Sequence, residues 1–413
     1  MTKKLWTVLL IIAVSTLFFY QNCERGYNDT PNSSGDVVTL STGTTEIITG
    51  NNVLPVCVGS CGTPNFEAPN IPYVSVTICV PGTNNCQTID HILVSTRLVG
   101  LRIFASELNL PLAPITDSSG NAIGECYQSA AGDVAVWGPM VSASVTLASE
   151  PAVTIPIQLM QGDFGPPPKG CEVTSNTPDG FAAKGVLGVG PLAQDCGSDC
   201  LTVNSKNMYY DCPSTGCVNT TAMPLAQQIG NPVAALPIDN NGVSLTFSTL
   251  SDGATTTATG YLVLGLGTST NNASKPTNVF ATNSSGAIMS TVAGTSGTAW
   301  IDSMNQINAF YDKSLALCSN DPELYCPSSE TQISATIMGT SGSPSVALTF
   351  PVGNGQTMMD SPQVTTDDFA SPDFAGAQNS PIFWGLPFFF GRTVYVGIAG
   401  KTVFTNTGPL YGY

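Results

Sequence analysis

Tyr73-Val-Ser-Val-Thr-Ile-Cys79-Val-Pro-Gly82-Thr-Asn-Asn85-Cys86-Gln-Thr88-Ile-Asp90-His91-Ile-Leu-Val94-Ser95-Thr96-Arg97-Leu98-Val99-Gly100-Leu101-Arg102-Ile103 is the stretch on which the fold turns. From Tyr73 to Cys79 apolar and polar residues alternate, which is the period of a half-buried strand. Pro81-Gly82 and Asn84-Asn85 supply turn residues, and Thr88 to Val94 returns as a second strand. The same texture recurs at 134–148, 242–247, 259–266, 298–302, 332–349 and 393–404. Helical periodicity is rare, and Asp302 to Leu317 is its best candidate. An all-β body is expected.

Composition agrees. Only 10% of the 413 residues are charged, with 41 Gly and 30 Pro, and a chain rich in Thr and Val is good strand material. The net charge is -16 and Lys and Arg number 12, too few for the basic surface that nucleic acid requires, so no nucleic-acid partner is expected. The length suits two domains.

At the N-terminus Lys3 and Lys4 precede an apolar run from Leu5 to Tyr20. A spanning helix needs about 20 apolar residues, and a basic start with a shorter run is the layout of a secretory signal, expected over residues 1–22. A cysteine directly after the run resembles the processing site of bacterial lipoproteins. The usual Leu-Ala-Gly-Cys box reads here Tyr20-Gln21-Asn22-Cys23, with a larger residue before the cysteine. Lipid attachment at Cys23 and membrane partnership through that anchor are expected. Residues 23–52, rich in Ser, Thr, Asn and Gly, read as a flexible tether.

Of 13 cysteines, reserving Cys23 leaves an even number. Proximity suggests Cys57 with Cys61, Cys79 with Cys86, Cys196 with Cys200, Cys212 with Cys217 and Cys318 with Cys326, leaving Cys126 for Cys171. Sequence alone does not fix connectivity. One histidine and no repeated CxxC pair favour disulfides over zinc, so no metal or cofactor is expected.

The arrangement comes from a resemblance. Asp90 to Ile103 resembles the strand entering the first Asp-Thr-Gly-Ser turn of pepsin-like aspartic proteases. Gly185-Val-Leu-Gly188-Val-Gly190 resembles the segment packed behind that turn, and Gly260-Tyr-Leu-Val-Leu-Gly265 the strand opening the second lobe. Trp300-Ile301-Asp302-Ser303 is similar to the second turn, and Trp384-Gly385-Leu-Pro-Phe388 with Gly391-Arg392-Thr-Val394 to the late Leu-Gly-Asp-x-Phe-x-Arg stretch. The wording around Ile71-Pro-Tyr-Val, Thr88-Ile-Asp-His91, Trp137-Gly-Pro139, Pro156-Ile-Gln158, Asp239-Asn-Asn-Gly242 and Gly385-Leu-Pro-Phe-Phe-Phe-Gly-Arg392 is similar to the bacterial DUF3443 family, to which no firm function is assigned. The resemblance implies a two-lobed double β-barrel, with an N-terminal lobe over 53–235 and a C-terminal lobe over 236–413.

It also implies damaged catalytic turns. Aspartic proteolysis uses two facing carboxylates that share a proton and activate a water. Ser95 and Asp302 occupy the dyad positions, so one carboxylate is missing. Arg97 and Met304 stand where the turns carry glycine, with Leu98 and Val99 for two serines and Asn305 for a small residue. Arg97 is expected to pair with Asp302 or another acid. The lone His91 lies about 13 Å along a strand from Ser95, too far for a Ser-His pair, and is expected to pack or hydrogen-bond in its lobe. Asp360, Asp367, Asp368 and Asp373 read as a solvated loop before a calcium site, and Phe383, Trp384, Phe388, Phe389 and Phe390 as core before a ligand platform.

Three functional readings follow. The first is an exported pseudoprotease of the cell envelope that binds a peptide or protein ligand in its interlobe cleft. The second is a weak hydrolase relying on Asp302, and the third a structural surface protein. A cleft plugged by Arg97, Leu98 and Met304 would favour the third; an open polar one would favour the other two.

Overall fold

Residues 47–59, 61, 68–128, 135–160, 164–173, 177–202, 208–217, 219–251, 253–372 and 381–413 are described by the structure, a computed structural model. The expected signal, Cys23 and most of the expected tether lie outside them. Among the described residues no helix is long and apolar enough to cross a membrane.

Strands dominate. Pro72–Cys79 pairs with Cys86–Ser95, which pairs with Gly185–Val189, then Val99–Phe104, Val153–Met160 and Ala135–Thr146; the last pairs back onto Pro72–Cys79 and closes a six-stranded barrel. Pleating explains which residues fill it, since neighbours on a strand face opposite sides. Val94 and Leu187 join the main core, whereas Leu93 and Val186 join a second apolar cluster with Tyr73, Leu98 and Phe104. Val99–Phe104 is buried at all six positions, and so shows no alternation. It lies between a parallel and an antiparallel neighbour with both faces covered.

A second sheet of seven strands forms a half-barrel, in the order Ser345–Val352, Thr331–Met338, Ile288–Val292, Thr295–Ile301, Ile382–Trp384, Asn308–Ala309 and Ala370–Ser371. The two halves share strands. Val53–Gly59, expected in the first lobe, pairs at all seven positions with Thr257–Leu264 of the expected second lobe, and also touches Pro72–Cys79. Gly242–Phe247, Thr393–Gly397 and Leu410–Gly412 extend this sheet. The end of the expected tether is tied down, because buried Asn52 donates to the Leu264 carbonyl (2.7 Å) and Asn51 accepts from the Ser149 amide (2.8 Å).

The expected helix over Asp302 to Leu317 is absent. Asp302 opens a turn, and Asn308–Ala309 is a short strand paired with both Ala370–Ser371 and Ile382–Trp384. Sheet partners from distant sequence outweigh a weak local helical period there.

All twelve cysteines outside the tether meet in pairs at bonding distance: Cys57–Cys61, Cys79–Cys86, Cys126–Cys171, Cys196–Cys200, Cys212–Cys217 and Cys318–Cys326. Such pairing is consistent with an exported, non-cytoplasmic protein.

Candidate functional site

Ser95 ends the strand Cys86–Ser95, and Asp302 follows directly on Thr295–Ile301. Each strand is backed by a parallel partner that carries a glycine near its end or runs into one. Ser95 lies opposite Gly188, and Ile301 opposite Trp384, whose next residue is Gly385. A Cβ on Gly188 would come within 2.7 Å of the Leu98 backbone, and one on Gly385 would collide with the carbonyls of Ile307 and Asn305. Both positions need glycine because a turn presses on them.

The two strand ends grip one another. Thr96 Oγ1 donates to the Ile301 carbonyl (2.8 Å), and Ser303 Oγ donates to the Val94 carbonyl (2.6 Å). The Ser303 amide donates in turn to Thr96 Oγ1 (3.0 Å), and Tyr411 Oη donates to the Thr96 carbonyl (3.1 Å). Thus Ser95 and Asp302, 207 residues apart, come into direct contact: Ser95 Oγ donates to Asp302 Oδ1 at 2.7 Å.

Arg97 completes the joint. Its Nε donates to Asp302 Oδ2 at 2.8 Å, and its guanidinium lies 5.4 Å from the Phe383 ring centre. Asp302 Oδ1 also accepts from the Met304 amide (3.1 Å), while Ser95 Oγ accepts from the amides of Leu98 (2.9 Å) and Arg97 (3.3 Å). Both carboxylate oxygens and the hydroxyl are engaged within the protein. Solvent exposure is 0% for Ser95 and Asp302 and 7% for Arg97. Leu98 is buried in the second apolar cluster, and Met304 packs against that cluster.

His91 is buried, its ring 5.0 Å from Tyr73 and its Nδ1 3.1 Å from Asp90 Oδ2. Asp360 lies exposed and Asp373 falls outside the described residues. Burial, with the neighbouring Asp368 charge, pushes Asp367 up to about 6. Among the described residues no three metal-capable side chains converge. Phe383, Trp384, Phe388, Phe389 and Phe390 are all buried, with Trp384 5.2 Å from both Phe350 and Phe388.

Residues 49–413 match the family described as protein of unknown function, DUF3443. The chain belongs to the DUF3443 family. No curated protein matches it.

This DUF3443 member carries a second buried polar centre, which the sequence reading passed over. Arg102 Nη2 donates to Glu125 Oε1 (2.6 Å) and Asp195 Oδ2 (2.8 Å), and Arg102 Nε donates to Gln158 Oε1 (3.0 Å). Its guanidinium stacks 3.8 Å from the Tyr127 ring centre, and Tyr209 Oη donates to Asp195 Oδ1 (2.6 Å). Burial works against the Arg102 charge, but Glu125 and Asp195 outweigh it and raise its affinity for the proton. Burial, reinforced by Asp195 and opposed by Arg102, pushes Glu125 well above the carboxylate range. A usable signal existed: an arginine inside the apolar run Val99-Gly-Leu-Arg-Ile-Phe104 must find acids wherever it is buried.

Proposed function

We propose that this is a non-catalytic protein of the cell envelope, built on an aspartic-protease-type framework whose dyad positions have become a structural joint. The observation that carries the reading is the burial and complete engagement of Asp302 by Ser95, Arg97 and the Met304 amide. The framework is supported by the reciprocal grip of Thr96 and Ser303, and by the two glycine-backed strand ends that bring Ser95 and Asp302 together. Water activation needs one carboxylate as base and another group to protonate the leaving amine. Here a hydroxyl replaces one carboxylate, and an arginine that keeps its proton caps the other. A ligand reaching the joint would first have to displace Arg97 from Asp302, so the structural reading outweighs ligand binding at the dyad.

The purified mature chain is expected to leave unfolded protein substrates intact from about pH 3 to about pH 8, a range spanning carboxylate titration. A cleavage activity that disappears in Asp302→Asn would sink the reading and restore the weak-hydrolase alternative.

Anchoring through Cys23 is part of the proposal, supported by the cysteine's place after the apolar run. Cys23→Ser is expected to move the protein from the membrane fraction to the soluble fraction on cell breakage. Unchanged membrane partition would mean that the apolar run itself is the anchor.

A further inference from the structure

Two carboxyl pairs outside the joint are each short of a donor. In the first, Glu125 and Asp195 meet on a single Arg102 nitrogen, at 2.6 and 2.8 Å. Their side chains have no solvent exposure, and the groups facing them are Arg102, Tyr127, Gln158 and Tyr209. Two carboxylates against one guanidinium would leave a net negative charge sealed in the barrel, which is costly. Glu125 Oε2 is buried without a hydrogen-bond partner so long as neither acid carries a proton. One proton between the two acids removes the excess charge and supplies the missing bond.

In the second pair, the Glu150 carboxyl faces that of Asp239, whose charge adds to burial in raising it. Both residues are buried, and Glu150 Oε2 likewise lacks a donor. The Thr268 hydroxyl also faces the pair and donates to Asp239 Oδ1; among the described residues no ion pair neutralises either acid. Glu150 lies in the turn between barrel strands Ala135–Thr146 and Val153–Met160, and Asp239 in the segment leading to Gly242–Phe247. This pair therefore ties the first barrel to the other half of the molecule, beside the docking point of Asn51 and Asn52.

We propose that the folded body holds two protons of its own, one shared by Glu125 and Asp195 and one by Glu150 and Asp239, which clasp the fold in a mildly acidic extracytoplasmic medium and release it as the medium turns alkaline. Unfolded, each glutamate titrates near 4.3; folded, both are shifted upward by burial and then by their aspartate partners. In the window between, the native state binds more protons than the unfolded state, so stability is greatest on the acid side and falls as pH rises. Asp90 and Asp117 are shifted downward and act the other way at lower pH, while Asp367, raised to about 6, adds a part of the slope that the glutamate variants leave in place.

Thermal unfolding of the mature chain tests this. Tm is expected to rise by roughly 5 °C or more from about pH 8 to about pH 5. Glu125→Gln and Glu150→Gln, which replace the shared proton by a permanent amide donor, are expected to flatten that slope and to raise Tm at pH 8. Infrared spectra of the wild type at about pH 7 should show a protonated carboxyl band that titrates away only at higher pH. That measurement decides the matter if either variant fails to fold. A Tm that falls steadily from pH 8 to pH 5, or wild-type protein without the carboxyl band at pH 7, overturns the proposal.

Discussion

Asp302→Ala is expected to destabilise the protein by about 3–5 kcal/mol at neutral pH, the cost of leaving a buried guanidinium without its partner. Arg97 has 4% side-chain exposure and cannot turn to water without opening the joint. Ser95 would lose its acceptor at the same time, and an unmade buried hydrogen bond adds about 1–3 kcal/mol where the site cannot relax. The double change Arg97→Met with Asp302→Leu is expected to recover most of the loss, because apolar residues of similar volume fill the site without charge. Urea unfolding of the three proteins measures this. An Asp302→Ala loss below about 0.5 kcal/mol, the usual range for a surface position, would mean that the carboxylate is not part of the joint.

Arg102→Met is expected to cost at least as much, about 3–5 kcal/mol at neutral pH. The change leaves Glu125 and Asp195 facing each other with no cation, and removes the stack on Tyr127 and the bond to Gln158. The loss is expected to shrink towards about pH 5, where both acids can be neutral. Adding Glu125→Gln and Asp195→Asn should restore part of the stability at pH 7. Chemical unfolding at two pH values checks both statements, and a loss independent of pH would show that packing, not charge, sets it.

Much of the framework was legible in the chain because it follows from local pattern. The alternation of Tyr73–Cys79 and its turn appear as the hairpin Pro72–Cys79 with Cys86–Ser95. The region 332–349 appears as the hairpin Thr331–Met338 with Ser345–Val352. That Ser95 approaches Asp302 was an expectation from the resemblance of the two turns and not from local pattern, and Arg97 had Asp302 as one of several acids it could pair with. The short strand at Asn308–Ala309 could not be anticipated, since its partners lie at 370–371 and 382–384 and nothing local announces them. The same holds for the centre at Arg102. Its acids come from residues 125 and 195, on separate elements, and only the closed barrel brings them to one nitrogen. Glu150 and Asp239 gave no warning either, because a lone acid in a turn is ordinarily a solvated one.

The lacing of Val53–Gly59 into the second half bears on how the chain reaches its native state. Its long partner strand, Thr257–Leu264, lies on the far side of the whole first barrel in sequence. Folding is slow when contacts are remote along the chain, since closure entropy is spent before the contact is made. A chain delivered N-terminus first would present this strand, with Leu54, Val56 and Val58 on its apolar side, as an unmatched edge until residue 264 had followed. Such edges recruit other chains. The first barrel can close its own hydrogen bonds early, but its outer strand stays an invitation to aggregation until the second half arrives, which puts the delivery of the chain and its protection from self-association on the same clock.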